Sequence, residues 1–322
     1  MRAVVAMSVG SVLLLSGCLA SNHHGPDDGG PDGGPRDGGV SDGGSQDGGV
    51  SDGGAPDGGT PTPFIARSWT VLPGVSDFYR CTQVTLDSDV TITGFRNVSS
   101  DGNFRTFVTA GPTPMNPVDG DFDCDFGALY PRLLYAFGPG TGAIDFPPET
   151  AIHLKAGESV VMTVALRNQG VTPSSGQTSV SIRTDGASST THEAELIFAG
   201  TTKLSIPSDG QPHQYTGGCA AQRAYQVFGA WPTMNELGVH QTLHLNGQVK
   251  LDTDFMATQQ PIDALSIAVS EGDQILLTCS YVNSTGATVS FGGGYSEELC
   301  YLGLYRYSLD SSLGDLFECV SH

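Results

Sequence analysis

Histidines are the side chains of this chain best suited to hold a metal ion, and six of them lie between residues 65 and 322. That region contains no His-His pair and no H-x-H pair. The closest spacing is that of His240 and His244, in VHQTLHLNG. On a strand, four residues at about 3.3 Å each place the two histidines roughly 13 Å apart on one polar face, too far to share a metal ion. A helix would bring them together, but Asn246-Gly247 is typical of a hairpin turn, so we interpret both histidines as solvent-facing.

Met234, in WPTMNELG, could supply a soft sulfur ligand, but we favour its interpretation as a core methionine. His240, His244 and Met234 are therefore only weak candidates for metal ligands, and we predict no cofactor from these residues. Between residues 64 and 322 there is no G-x-S-x-G turn and no H-E-x-x-H pair. The alternating carboxylates of VDGDFDCDFG, at Asp119, Asp121, Asp123 and Asp125, could bind Ca²⁺, but we favour a solvated acidic loop.

The first residues predict export and lipid attachment. Arg2 precedes an apolar run over residues 3–15 that is too short to span a bilayer, and Leu15-Ser16-Gly17-Cys18 matches a lipobox. We therefore predict a signal peptide over residues 1–17 and lipidation of Cys18; the alternative is a plain secretory signal with an incidental cysteine. Leu19 follows instead of an aspartate that would retain the protein in the inner membrane, which favours an outer-membrane anchor in the cell envelope.

Residues 18–63 are predicted to form a disordered tether between the anchor and the folded region. Asp-Gly-Gly repeats fill most of this stretch, which offers nothing to bury and carries the high ordering cost of glycine. We expect a flexible spacer that reaches on the order of 35 Å from the membrane. The formal net charge of -20 argues against nucleic acid as a partner.

From Phe64 onward, short β-type runs alternate with turn residues, and helical periodicity is nearly absent, which predicts an all-β sandwich fold. Two segments of the chain are similar in sequence: GESVVMTVALRNQG, which begins at Gly157, and GDQILLTCSYVNSTG, which begins at Gly272. Two similar domains, over residues 64–207 and 208–322, would explain this internal similarity; two generic hairpin strands are the alternative. Apart from Cys18, six of the seven cysteines remain, so up to three disulfides are expected in an exported chain.

The segment GDQILLTCSYVNSTGATVSFGGGYSEELCYLGLYRY contains Gly-Asp, T-C-x-Y-x-N, F-G-G and an acidic residue followed by Cys and aromatics. Together with the weaker YRCTQVTLDSDVTITGFRNVSSDGN and CDFGALYPRLLYAFGPGTGAIDFPPE, it resembles the copper type II ascorbate-dependent monooxygenases, the group of the peptidylglycine hydroxylating and dopamine β-monooxygenases. The resemblance covers roughly residues 65–322. It implies two tandem jelly-roll domains and the disulfides Cys219–Cys319 and Cys279–Cys300, and Cys81–Cys124 is predicted as the third pair.

The resemblance also implies two copper sites, one held by three histidines and the other by an H-x-H pair and a methionine. It places the first set at Arg105, Thr106 and Ala165, and the second set at Thr233, Asn235 and Leu299. None of these six side chains is an imidazole or a thioether, which are the donors that suit copper. The family's ligands are therefore substituted at every implied position.

Three functional hypotheses follow. The first is a non-catalytic relative of the copper enzymes that acts as a binding or structural module on the cell surface. The second is an active copper- and ascorbate-dependent monooxygenase with displaced ligands. The third is an unrelated β-sandwich lipoprotein that binds a glycan or a protein partner. The only partner that the sequence itself predicts is the membrane, through the lipid anchor.

Overall fold

A computed structural model describes residues 63–125, 129–185, 191–309 and 313–322. All regular structure in these ranges is β-strand, which confirms the all-β prediction. No helix long and apolar enough to cross a membrane occurs among them. The predicted signal peptide, Cys18 and nearly all of the predicted tether lie outside the described residues.

The first half of the described chain forms eleven strands. They are β1 (Ile65–Val71), β2 (Val75–Thr85), β3 (Val90–Ile92), β4 (Gly94–Ser99), β5 (Asn103–Gly111), β6 (Gly120–Asp123), β7 (Arg132–Phe137), β8 (Ile144–Asp145), β9 (Thr150–Leu154), β10 (Ser159–Asn168) and β11 (Ser174–Arg183). They build a four-stranded sheet in the order β1-β11-β4-β8 and a five-stranded sheet in the order β6-β2-β10-β5-β7.

The second half supplies eleven more strands. They are β12 (His192–Thr201), β13 (Ser205–Ile206), β14 (Pro212–Ala220), β15 (Tyr225–Thr233), β16 (Gly238–Leu245), β17 (Gln248–Asp254), β18 (Asp263–Val269), β19 (Gln274–Val282), β20 (Val289–Ser290), β21 (Cys300–Ser308) and β22 (Cys319–Ser321). A four-stranded sheet has the order β14-β19-β16-β17, and β13 pairs with β20. The largest sheet has the order β18-β15-β21-β12-β9-β3, with β22 beside β12.

Strand β10, which is a continuous apolar run, is the central strand of the five-stranded sheet. This strand pairs with β2 on one side and β5 on the other, and eight of its ten residues from Ser159 onward are buried in succession. A run without alternation is what a strand covered on both faces requires. β19 instead alternates exposed and buried residues at its start, because one face of its sheet meets solvent.

The two similar segments begin and end in the same local structure. Gly157 and Gly272 both have a positive φ, of 87° and 86°, which glycine adopts without strain. Where the two strands end, the side-chain amide of Asn168 donates hydrogen bonds to the Val71 and Thr172 carbonyls. The side-chain amide of Asn283 donates in the same way to the Ile206 and Ala287 carbonyls. The same residue types at the same offset thus end both strands with the same side-chain-bonded turn.

Two large apolar cores and a small third cluster around Cys81, Tyr130 and Val161 occur among the described residues. The larger contains Phe95, Tyr135 and Trp231, and the other contains Leu277 and Leu304, all less than 2% exposed. Each fully buried side chain of this size contributes about 2 kcal/mol. The largest sheet combines strands from both sides of the predicted boundary at residues 207 and 208; the division into two domains at that point stays a prediction.

Three disulfides join neighbouring strands and loops. They are Cys81–Cys124, Cys219–Cys319 and Cys279–Cys300, the three predicted pairs. Cys219–Cys319 fastens β22 to β14, and Cys279–Cys300 joins β19 to β21 across the second core. The covalent frame therefore lies mainly in the second half of the chain.

Removing the two disulfides of the second half should destabilise the fold to different degrees. The pairs enclose 100 residues for Cys219–Cys319 and 21 residues for Cys279–Cys300. We expect the double variant C279A/C300A to lose about 3 kcal/mol of unfolding free energy and C219A/C319A about 1 kcal/mol more, because the longer loop gains more entropy when unfolded. Urea unfolding of both variants beside the wild type measures the order; equal losses, or none, would contradict the expectation.

Candidate functional site

The six positions that the resemblance assigns to copper lie in the interior. Each has a side chain no more than 7% exposed. Arg105 and Thr106 are on β5, and Ala165 is the register partner of Arg105 on β10. Thr233 ends β15, and Leu299 directly precedes β21.

Arg105 connects the first set of positions to the second. Its Nη2 donates hydrogen bonds to the Asn235 side-chain oxygen at 2.8 Å and to the Met234 carbonyl at 3.0 Å. The Asn235 amide in turn donates to the Glu297 carbonyl at 2.8 Å and the Gly294 carbonyl at 3.2 Å. Two groups of residues that are about 130 positions apart in sequence are therefore hydrogen-bonded directly to each other.

The buried carboxylate of Glu298 is the third polar group of this centre and holds the backbone around Asn235. Its carboxylate accepts the backbone N–H of Asn235 at 2.8 Å and that of Leu237 at 2.7 Å, and the residue is 1% exposed. Burial raises the pKa of Glu298 to about 7, although these backbone donors and the charge of Arg105 act in the opposite direction. Burial likewise lowers the pKa of Arg105 to about 10, so the guanidinium stays charged at neutral pH.

The donor set at these positions does not fit copper. Thr106 Oγ1 accepts from the Asn103 amide, and the Leu299 side chain belongs to the larger apolar core. Ala165 has no donor atom, and a guanidinium is a cation that repels a metal ion. Copper in either oxidation state prefers imidazole, and Cu(I) also favours thioether sulfur. No chemical step through copper can therefore be derived at these residues.

Of the three weak metal candidates, Met234 lies beside this centre through its backbone carbonyl, whereas the two histidines are on β16. His240 bonds Asp254 through Nδ1 at 2.9 Å and Asp252 through Nε2 at 2.8 Å, and these bonds raise its pKa. His244 follows on the same strand, and the hairpin predicted at Asn246-Gly247 joins β16 to β17 with positive φ at both residues. Met234 is 1% exposed in the second core, as expected for a core methionine.

The remaining histidines between β9 and β14 are also held separately. His153 contacts Glu193, His213 contacts Asp209, and His192 stacks on the ring of Tyr307 at 4.9 Å. Within the described ranges no three His, Cys, Asp or Glu side chains form a group that could hold a metal ion.

The acidic segment after Val118 includes a short strand in place of a loop, and its aspartates at 121 and 123 are solvent-exposed as expected. Residues 120–123 are β6, paired with β2, because their backbone completes the edge of the five-stranded sheet. Asp119 accepts from Thr85 and Gln83, and Asp123 lies 2.7 Å from a guanidinium nitrogen of Arg80. Each of these carboxylates therefore contacts a different neighbour along the strand pair, and they do not surround a common point.

An arginine that stacks on two aromatic rings lines the same small cavity as Arg105 and Asn235. The Arg167 guanidinium lies between the rings of Phe104 and Tyr295, at 5.5 and 5.6 Å from their centroids, and pairs with Glu236. Such cation–π contacts hold the side chain in one place. The Arg167 side chain is 22% exposed, so part of it reaches solvent.

Two open clefts are lined by members of this stack, the first by Phe104 and Arg167 and the second by Tyr295. The first has a volume of about 680 Å³ and is lined by the 97–104 segment, the 138–141 turn, Arg167 and Thr258. The second has a volume of about 550 Å³ and is lined by Glu236, Leu237, the 285–289 segment and residues 295–298. Both volumes are in the range of small-molecule sites.

Sequence reasoning missed the residues that build this site. It treated Arg105 and Asn235 only as substitutions, and it assigned no role to Arg167, Tyr295 or Glu298. The one signal in the sequence was a charged residue within or next to an apolar run. Arg105 lies within FRTFVTAG, and Glu298 lies between the polar GGGYSE and the apolar strand that follows. A charge within an apolar run indicates a partner brought from elsewhere in the fold.

Comparison with known proteins shows distant likeness of fold only. No family model and no curated protein matches the chain. Among solved structures, the chain is similar to VP54 of PBCV-1, as fitted into a reconstruction of the virophage Sputnik, with 11% identity, 76% of this chain and 93% of that chain covered, and a TM-score of 0.23. It is also similar to a β-porphyranase of glycoside hydrolase family 86 from Bacteroides plebeius, with 10% identity, 78% and 38% covered, and a TM-score of 0.17. At these scores the likeness carries no conclusion on activity.

The raised pKa of Glu298 predicts a stability that falls as the pH rises. Its ordinary pKa is 4.5, so between pH 4.5 and about 7 the folded state holds a proton that the unfolded chain releases. The unfolding free energy should therefore decrease by about 3 kcal/mol across that window through this group.

The variant Glu298→Gln should lack this component, so the difference in unfolding free energy between wild type and variant should change across the same window. Urea unfolding at several pH values measures it. Parallel pH profiles for the two proteins would contradict the assignment.

Proposed function

We propose that this chain is a non-catalytic relative of the copper type II ascorbate-dependent monooxygenases that is displayed at the cell envelope as a lipid-anchored binding module. The fold is a scaffold, and function depends on the site that it carries. In this chain two of the implied metal positions, Arg105 and Asn235, belong to a hydrogen-bonded centre. The clefts near it are the surfaces on which a ligand can bind.

The observation that carries the proposal is the 2.8 Å hydrogen bond between Arg105 and Asn235. It joins one position of each implied copper site, and it places a permanent positive charge between them. Two unit charges at 4 Å interact by about 4 kcal/mol even at an effective dielectric constant of 20, so a metal cation next to this guanidinium is strongly disfavoured. Oxygen chemistry at two coppers is therefore the function that this centre suits least.

The loss of copper is compatible with a stable fold. Two apolar cores and three disulfides lie between the sheets, and none of the contacts of Arg105, Asn235 or Glu298 requires a metal ion. A scaffold that is stable without its ancestral metals can retain its clefts for another ligand. The two clefts beside Arg167 supply about 680 and 550 Å³ for this purpose.

Copper loading tests the non-catalytic assignment. After incubation of the full chain with Cu(II) and ascorbate and removal of free metal, we expect far less than one copper per chain, and no ascorbate-driven hydroxylation, because neither implied site has an imidazole or thioether. Metal analysis and an EPR spectrum give the stoichiometry. His240→Ala is the matched control and should behave like the wild type. One tightly bound copper per chain, lost in that variant, would instead support the active monooxygenase with displaced ligands.

Membrane attachment is tested separately from copper. In the native host, Cys18→Ala should move the protein from the membrane fraction to the soluble exported fraction, because the acylated cysteine is the predicted anchor. Cell fractionation followed by immunoblotting measures the distribution, and Cys18→Ser should behave identically. If both variants remain in the outer-membrane fraction, the anchor assignment is wrong, whatever the result with copper.

A further inference from the structure

Two neighbouring connections, between β1 and β2 and between β10 and β11, expose large apolar side chains. Leu72, in the first connection, is 64% exposed, and Val171, in the second, is 93% exposed. The side-chain amide of Asn168 ties the two connections together, because it donates to the Val71 carbonyl at 3.0 Å and to the Thr172 carbonyl at 2.7 Å. Leu72 and Val171 are thus each one residue away from a carbonyl that the same amide binds.

The surface around these two residues carries no charge. Residues 71–76 and 168–176, here called the uncharged tip, contain no Asp, Glu, Lys, Arg or His, although the whole chain has a formal net charge of -20. Pro73 and Pro173 are exposed there as well. Single exposed apolar residues are normal on a protein surface, but exposed apolar residues that are grouped without charges are typical of an interaction site.

The matching turn of the second half has the same hydrogen bonds but a different surface. The side-chain amide of Asn283 holds it in the way that Asn168 holds the first turn. Where the first half has its exposed leucine and valine, this turn has Pro207 and Gly286, and the exposed Asp209 lies nearby in sequence. The turn itself therefore does not require large exposed apolar side chains, which points to a partner for those of the uncharged tip.

A membrane surface is within reach of the uncharged tip. β1 begins at Ile65, directly after the predicted tether, and Leu72 follows the last residue of this strand. The seven residues of β1, at about 3.3 Å each, separate the two ends by roughly 23 Å, less than the reach of about 35 Å expected for the tether. An anchored chain also keeps the local concentration of lipid high, so that even the burial of a few side chains produces stable contact.

We propose that the uncharged tip inserts into the surface of the lipid bilayer to which the chain is attached, a step that rests on the lipid anchor of the proposed function. Leu72 and Val171 leave water for the boundary between headgroups and acyl chains, where the burial of apolar area is favourable. The lipid surface is zwitterionic, because the tip has no cation for an anionic headgroup and the net charge of the chain opposes one. The folded region is thereby held at the membrane and not at the far end of its tether.

Quenching by brominated lipid tests the insertion. The lipidated chain with the change Val171→Trp is reconstituted in phosphatidylcholine vesicles with brominated acyl chains and, separately, in unbrominated vesicles. Bromine quenches an indole only on contact, so the variant should lose fluorescence in the brominated vesicles. The wild type supplies the background, since Trp69 and Trp231 are buried.

Val118→Trp is the matched control. Val118 is 69% exposed, and the neighbouring Asp119 accepts a hydrogen bond from the backbone of Thr85 at the end of β2 that is remote from the tip. Its fluorescence should be the same in both kinds of vesicle. Adding Leu72→Asp to the Val171→Trp protein should abolish the quenching, because a carboxylate beside the reporter opposes burial in lipid. Should Val171→Trp fail to fold, Leu72→Trp serves as the reporter and Val171→Asp as the added change.

The outcomes separate the insertion from the anchor. A reporter that is quenched together with an unquenched control supports the proposal. An unquenched reporter, on a chain that floats with the vesicles, overturns the insertion and leaves the anchor intact, whereas a chain that does not float with them overturns both. A dimer that Leu72→Asp dissociates, without quenching of the reporter, identifies a second copy of the chain as the occupant and also overturns the insertion.

Discussion

A guanidinium that is out of contact with water needs both acceptors and a countercharge, and the centre of this molecule is organised around that need. Arg105 obtains two acceptors from the turn after β15, and that turn is fixed from its other side by the carboxylate of Glu298. The positions of Asn235, the 294–298 segment and the stacked Arg167 all follow from this arrangement. The same charge also makes the centre unsuitable for metal cations.

The relation between Arg105 and Glu298 illustrates how burial changes a pair of charges that do not touch. Each loses hydration, so the pKa of the acid is raised while that of the guanidinium is lowered. Their mutual attraction opposes both changes but does not cancel them. The centre is thus held mainly by backbone hydrogen bonds to the two side chains, which are directional and fix the geometry more tightly than a distant charge would.

Local patterns predicted the strands well. The β-type segments that begin at Gly157 and Gly272 contain β10 and β19, because apolar periodicity reports directly which faces are covered. The repeated Gly-acid start and Asn end also had a local cause, a positive-φ glycine and a side-chain-bonded turn. The two disulfide pairs of the second half came from the resemblance and not from spacing, since six cysteines alone allow fifteen pairings.

The candidate site could not be predicted in the same way, because its contacts are between distant segments. Nothing near Arg105 in sequence shows that Asn235 will accept its hydrogen bond, and the pairing depends on how β5 and the end of β15 meet in three dimensions. The acidic segment 120–123 was predicted to be a loop, and its aspartates are exposed as that prediction requires. Its backbone nevertheless pairs with the edge of β2, which composition does not reveal.

The parallel pairing of β12 with β22 has a consequence for biogenesis. Thr201 lies opposite Ser321, and the Cys219–Cys319 bond fastens the same short strand, so one edge of the largest sheet is completed by residues synthesised 120 positions after their partners. Contacts this remote along the chain form slowly. Until residues 319–321 have been synthesised, residues 199–201 of β12 therefore lack their backbone partner on that side.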